Sequence, residues 1–331
     1  MEIGKIPNEI LQRIAFNNTG SDRKDVLVGA GIGEDNAIMD FGDEICVIST
    51  DPITGATKDI GKLAITISCN DVASSGAEPI GVLITILAPP KTTEQDIRSI
   101  MEEADAASRE LNIEIMGGHT EVTDAVTRMV ISTTVVGKQP KKNMIDPSKT
   151  KVGDKVLISK HVGIEGTSII AKELGDYLED KMDRSKIEMA KAMGDSISVL
   201  KEGLICGEIG VRYMHDITEG GVLGAIWEGA MAVDMGIRIH KDLIPIKEIT
   251  EEISSILDID PYRLISSGSM MIVAEESKVG IIEDSLARED IDVTVIGEVI
   301  EDGIFIEEDG IEREIEAPGS DELYRALSIL E

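Results

Sequence analysis

Apolar residues in the first 140 positions come in short runs closed by turn formers, with helix-spaced stretches between them. Asp25-Val-Leu-Val-Gly29 predicts a strand entering a Gly-rich turn, and Ile45–Ser49 predicts a second strand. Gly61–Ser75 predicts a helix whose small residues imply close packing. Ile80–Leu87 reads as a buried strand closed by Pro89-Pro90. Thr93–Leu111 has Thr93 as its cap and an apolar face of Ile97, Ile100, Met101 and Ala104. Ile113–Met116 and Val126–Val136 complete a run of strands. Gly137–Thr150 contains Pro and Lys, lacks periodicity, and predicts an interdomain linker.

A second αβ unit follows. Its predicted elements are a strand at Lys155–Ser159, helices from Thr167 and Lys186, a strand near Val211 and a helix from Thr218. Ile237–His240, Met270–Ala274 and Val293–Ile300 predict further strands, and Ser320–Glu331 a short terminal helix. The expected organisation is therefore two domains, residues 1–140 and 151–331, in an α+β (two-domain α/β) arrangement. A length of 331 residues fits that number of domains.

Composition narrows the function. Asp plus Glu outnumber Lys plus Arg by 63 to 32, giving a formal net charge of −31. Such a surface repels phosphodiester backbones and anionic membranes, so no nucleic-acid or membrane partner is expected. No apolar run is long enough to span a bilayer, and Met1–Ile14 lacks a signal-peptide core, which predicts a cytoplasmic protein. Cys46, Cys69 and Cys206 form neither a disulfide framework nor a zinc pattern with the four histidines. Cys46 and Cys69 lie in apolar segments and are expected in the core.

The candidate chemistry is acidic. Glu34-Asp35 follows a turn containing Gly29, Gly31 and Gly33. Asp51 ends the strand that carries Thr50, Asn70-Asp71 interrupts an apolar helix, and Gly117-Gly118-His119-Thr120-Glu121 follows another strand. Carboxylates converging from separate elements suit a hard cation such as magnesium, and their mutual repulsion has no purpose without one. Each part has a plainer reading: Asp51-Pro52 as a turn, Gly117-Gly118 as a loop, His119 as an ordinary loop histidine. Gly163, Gly166 and Thr167 precede an apolar helix and could offer N–H groups to an anion. His215-Asp216-Ile-Thr-Glu-Gly-Gly221 puts an acid, a hydroxyl and glycines at a helix start, where Thr218 could be only a cap. Neither GxGxxG nor GxxxxGK[ST] occurs, which disfavours a Rossmann site and a P-loop.

The ordered series Gly33-Glu-Asp-Asn-Ala37, Ser49-Thr-Asp51, Asn70–Pro79, Gly117–Glu121, Gly163–Thr167, His215–Gly221 and Ser266-Ser-Gly268 resembles the aminoimidazole ribonucleotide synthetase (PurM-like) superfamily. The resemblance spans about Gly29 to Gly297, and within the superfamily it is nearest to HypE-like hydrogenase-maturation members. It implies an N-terminal domain that forms a β-barrel with a second copy, a homodimer, and a C-terminal α/β domain. ATP and magnesium are the implied cofactors, with a small-molecule substrate. Glu34, Asp35, Asp51 and Asp71 are then the implied metal ligands, and Asp71, His119 and Asp216 the catalytic groups. Gly31, Gly33, Thr50, Asn70, Gly117, Gly118, Thr120, Gly163 and Thr167 are the implied nucleotide contacts. His119 stands where several relatives have an acid. Glu121 and Ser267 stand where HypE-like members are expected to have a basic residue and an acid. The chain ends Ser328-Ile-Leu-Glu331, without the terminal cysteine on which those members act.

Two functional classes fit these residues. One is a magnesium-dependent ATP enzyme that phosphorylates or activates an oxygen of a small substrate. The other is a non-catalytic nucleotide-binding partner, or a maturation factor acting in trans. The retained acids favour the enzyme.

Overall fold

The computed structural model describes residues 6, 8–54 and 58–330. Six strands, β1 (Val26–Val28), β2 (Ala37–Asp40), β3 (Glu44–Ile53), β4 (Glu78–Ala88), β5 (Glu114–Val122) and β6 (Val130–Pro140), form one sheet in the order β1-β2-β3-β6-β4-β5. Its pairings are antiparallel except β4 with β5. The sheet is open within the single chain.

Helices Ile60–Ser74 and Glu94–Glu110 cover one face. Alternation along β3 sends Ile45 and Val47 into that core beside Ile65, Cys69 and Val72. The other face carries Ile80 and Leu83, 42% and 43% exposed, unusually bare for side chains of that size on a central strand. Cys46, expected in the core, is on that face and only half-buried. Thr93 caps its helix as predicted, in a capping box with Asp96.

Two sequence boundaries move. β6 continues through Gly137–Pro140, part of the expected linker, paired with β3 as far as Glu44. Its inward positions there are Gly137 and Gln139, so the alternation carries no apolar signal. β5 runs through Gly117-Gly118 as an edge strand, and only Ile115 of its nine residues is partly covered. A Cβ at Gly118 would lie 1.8 Å from the Ile84 carbonyl oxygen, so only glycine fits that approach.

A second sheet contains β7 (Lys155–Ser159), β8 (Tyr213–Asp216), β9 (Gly236–His240), β10 (Met270–Ala274), β11 (Val293–Ile300), β12 (Ile304–Glu308) and β13 (Ile311–Glu314), in the order β13-β12-β9-β11-β7-β10-β8. β7 and β10 are covered on both faces. Val156, Ile158, Met271 and Val273 pack with helix Gly221–Val233, while Leu157, Met270 and Ile272 pack with Cys206, Ile282 and Leu286 from the helices opposite. Two-sided burial is why these strands read as unbroken apolar runs.

The domains are fused rather than merely adjacent. Helix Ile164–Glu173 contributes Ile164, Ile169 and Ile170 to the core cluster of the first domain. Asn70 Nδ2 donates to the Ile197 carbonyl at 2.7 Å, and its Oδ1 accepts from Val199 N–H at 2.9 Å. At Gly203 a Cβ would meet the Ala73 carbonyl oxygen at 2.2 Å, so the helices on either side of this seam touch backbone to backbone.

Candidate active site

A cleft of about 540 Å3 opens between the domains. From the first domain come the Glu34-Asp35 turn, Asp51 near the end of β3, and Asp71 in the last turn of helix Ile60–Ser74. From the second come Glu165, Thr218, Glu219, Ser267 and Asp321. At one end the cleft meets β8, whose four residues are all buried. Ligand atoms of Asp35, His215 and Asp216 there lie within 4.8 Å of one another.

The local sequence sets each carboxylate. Asp71 is on a helix buried along nearly its whole length, 4% exposed, with Ser49 Oγ donating to its Oδ2 at 2.6 Å. The Glu34-Asp35 turn is pinned to the second domain, because Tyr213 OH donates to the Gly33 carbonyl at 2.9 Å. At Gly33, φ is +73° and a Cβ would sit 2.8 Å from the Glu228 carbonyl oxygen, so glycine is required. Asp216 is 1% exposed, and neither carboxylate oxygen has a hydrogen-bond partner.

Electrostatics follow from this crowding. Burial, then the charges of Asp216, Asp51 and Asp35, push the Asp71 carboxyl well above the usual range. Burial and then Asp35 do the same to Asp216, with His215 opposing. Glu34 is exposed as a residue, but desolvation of its carboxyl and then Asp35 push it up to about 7. Burial disfavours charge on His215, yet Asp35 at 2.6 Å from Nδ1 and Glu228 at 3.2 Å from Nε2 hold its pKa well above the ordinary value. A carboxylate facing each ring nitrogen favours the protonated form of His215, which can donate to both and so orients Asp35. A set of buried carboxylates with unused oxygens is stable as drawn only with protons or cations added. Oxygen donors in this number suit magnesium.

The other residues singled out from sequence have different places. Thr50 is at the cleft, but its hydroxyl donates to the Thr133 carbonyl on β6 at 2.9 Å. Gly31 packs against the Glu34 side chain. Asn70 joins the domains, as described. Gly117, Gly118, His119 and Thr120 are on exposed β5, outside the residues lining the cleft, and His119 pairs with Glu121 at 3.1 Å. The N–H groups of Gly163, Gly166 and Thr167 are engaged internally, with Ser266 Oγ at 2.7 Å and with the Ile265 and Gly163 carbonyls at 3.0 Å each. They are not the free anion donors the sequence suggested, because this turn is folded against the Ser266 loop. Thr218 is not a cap: Gly220, at φ +89°, precedes the first residue of helix Gly221–Val233.

Sequence reasoning gave no role to His215, which it noted only as part of the His215–Gly221 segment, nor to Glu228 and Glu165. Glu228 is the sole charged residue of helix Gly221–Val233, and a lone acid in an apolar helix was a usable signal.

Comparison with known proteins agrees with this architecture. A Methanocaldococcus jannaschii protein assigned provisionally to hydrogenase expression/formation is 28% identical over 282 residues, covering 82% of this chain and 81% of that protein. The carbamoyl dehydratase HypE of Escherichia coli K12 is 27% identical over 291 residues, covering 83% and 81%. The structure of a hydrogenase maturation protein HypE in complex with ATP matches with a TM-score of 0.72 at 21% identity, over 94% of this chain and 91% of that one, a likeness of fold. With its N-terminal domain pattern matching residues 33–139 and its C-terminal domain pattern residues 151–309, the chain belongs to the AIR synthase related protein family.

Proposed function

We propose that this chain is a magnesium-dependent ATP enzyme that activates the oxygen of a small carbamoyl or carboxamide substrate. The observation that carries the reading is the carboxylate cluster at the seam of two domains, with Asp71 and Asp216 buried, Asp35 and Asp51 half-buried, and both Asp216 oxygens unpartnered. Relatives named carbamoyl dehydratase and a matching fold that binds ATP support the chemistry. An idle site would gain stability by losing these charges.

Asp35, Asp51, Asp71 and Asp216 would hold the magnesium, with Glu34 beside them. Bound there, the ion would supply charge screening for the triphosphate during in-line phosphoryl transfer. The residues of the chain do the positioning. His215 fixes Asp35, Ser49 fixes Asp71, and the Asn70 bonds hold the two halves of the cleft in register, so that reactants meet in a set geometry. Arg128 is the basic side chain on the cleft wall, suited to an anionic group near the mouth.

We further infer a homodimer built on the bare face of the first sheet, whose apolar side chains Ile80 and Leu83 would close a barrel with a second copy. The test of the activity is ADP release from ATP with a carbamoyl compound such as an S-carbamoyl-cysteine peptide. Turnover should require magnesium, stop with EDTA and be lost in Asp71→Asn. Turnover that persists in EDTA would refute the reading.

A further inference from the structure

A second cavity, about 420 Å3, lies between the interdomain linker and the start of β8, and it shares only Glu34 and Asp35 with the active-site cleft. Its size falls in the range of small-ligand pockets. Ile38, Ile145 and Met214 give it apolar walls. Its rim is the basic segment Lys141–Lys149, where three exposed lysines stand against one acid, Asp146, in a chain whose net charge is −31. Lys141 pairs with Asp40 at 2.5 Å and Lys149 with Asp146 at 3.3 Å, but among the described residues Lys142 has no acid partner. At the floor, Asn36 Nδ2 donates to the Asp71 carbonyl at 2.6 Å. That bond fixes the amide, so Oδ1 points the other way, buried and without a partner. Ser75 Oγ accepts from the same Nδ2 at 3.1 Å, and among the described residues its hydroxyl donates to nothing. The cavity thus keeps an acceptor and a donor in reserve at its inner end and a lone cation at its outer one.

An adenine edge is the complementary group, because its exocyclic amine donates while the neighbouring ring nitrogen accepts. We propose that this cavity is a second ligand site, distinct from the catalytic cleft, that takes an adenosine-type monophosphate. The amine meets Asn36 Oδ1, the ring nitrogen takes the Ser75 hydroxyl proton in a hydrogen bond, and the phosphate lies at Lys142 with Lys149 beside it. The apolar walls cover the ring faces. A single phosphate suits the cavity better than a triphosphate, since Glu34, Asp35 and Asp146 also line it and repel a longer polyanion. The Asp35 carboxylate itself is turned to His215, 2.6 Å from Nδ1. An occupant therefore rests against the turn that carries Asp35 without displacing that pair. The inference goes beyond the reaction proposed above and needs no turnover.

The test is calorimetric titration of AMP into the full chain in EDTA, where no metal-held nucleotide contributes. Saturable binding is expected. Lys142→Glu, at an exposed position, should weaken it about tenfold through loss of a charge-assisted contact. Ser75→Ala removes the floor donor and leaves the charges alone, and should weaken it about fivefold. Spectra of protein with methyl-labelled methionine locate the ligand: AMP should shift the signals of Met144 and Met214, which line this cavity, whereas no methionine lines the catalytic cleft. Inorganic phosphate should compete only weakly, because it leaves the floor unfilled. The proposal is overturned by a lack of saturable AMP binding, or by an unchanged affinity in Lys142→Glu. Binding that leaves Met144 and Met214 unmoved also overturns it, as does phosphate that competes as well as AMP, which would make this a bare anion site. Failure of ATP turnover would strike the proposed reaction and leave each of these outcomes decisive.

Discussion

Replacing Asp216 by Asn should strengthen the metal-free protein and remove its response to magnesium. Asp216 is buried with two unpartnered oxygens, and its carboxylate lies within 4.8 Å of both Asp35 and His215. Two unit charges about 5 Å apart at an effective dielectric of about 20 interact by about 3 kcal/mol. Repulsion from Asp35 and attraction to His215 nearly cancel at that scale. Burial and the further charges of Asp51 and Asp71 then decide the balance against the ionised form, in keeping with its raised pKa. Without a cation, Asp216 must stay ionised at that cost or take up a proton. Asn avoids both and can donate to a neighbouring carboxylate. Urea unfolding in EDTA should show the variant more stable by about 1–3 kcal/mol, a large effect for an isosteric change. Magnesium at a hundred times its Kd should stabilise wild type by about 2.7 kcal/mol through mass action and leave the variant almost unmoved. The order of stabilities would then close or reverse on adding metal. A variant less stable than wild type in EDTA, or an equal magnesium response in both, would refute the cation-site reasoning.

Three further outcomes follow. Leu83→Glu puts a charge on the bare face of the first sheet and should shift light scattering from twice the 35.6 kDa chain mass to the single-chain mass; a single-chain wild type would contradict the dimer. A Cys46→Ala, Cys69→Ala, Cys206→Ala variant should retain ATP turnover, since burial pushes the Cys69 and Cys206 thiols up to about 12 and none lines the cleft. Loss of turnover in a folded triple variant would show a thiol taking part. His161 has its pKa lowered to about 4, mainly by burial, with Lys247 and Lys160 adding to it. A lowered histidine contributes stability that is complete above about pH 6.5 and lost as pH falls toward 4. After allowance for its partial exposure, His161→Gln should flatten that acid slope by about 1–2 kcal/mol, read by urea unfolding at pH 7 and at pH 4.5.

Much of the second domain was legible because its central strands β7 and β10 are covered on both faces. Lys155–Ser159, Met270–Ala274 and Val293–Ile300 emerge from apolar runs with the bounds they have in the structure. Strands without that coverage left no such pattern. β5 is an exposed edge built through Gly117-Gly118, and β6 continues on Gly137 and Gln139, positions that alternate in burial but not in hydrophobicity. At the site, the acids Asp35, Asp51, Asp71 and Asp216 stood out because a carboxylate beside apolar residues is conspicuous. The donors and acceptors around them did not. Whether Asn70 meets a nucleotide or the Ile197–Val199 segment depends on contacts 127 and 129 residues distant in the chain. Likewise, whether Gly163 offers a free N–H depends on Ser266.

The seam between the domains has a consequence for how the cleft works. Asn70 grips the Ile197–Val199 segment, Gly203 rests on the backbone at Ala73, and isoleucines of one domain complete the core of the other. A hinge needs a few residues that turn while their neighbours slide, and this boundary offers no slack for either. The gap holding the carboxylates is thus set at folding, and the nucleotide proposed above would meet ligands already in place. Its affinity would then escape the reduction that a rarely populated closed state imposes, and gating would fall to side chains at the rim.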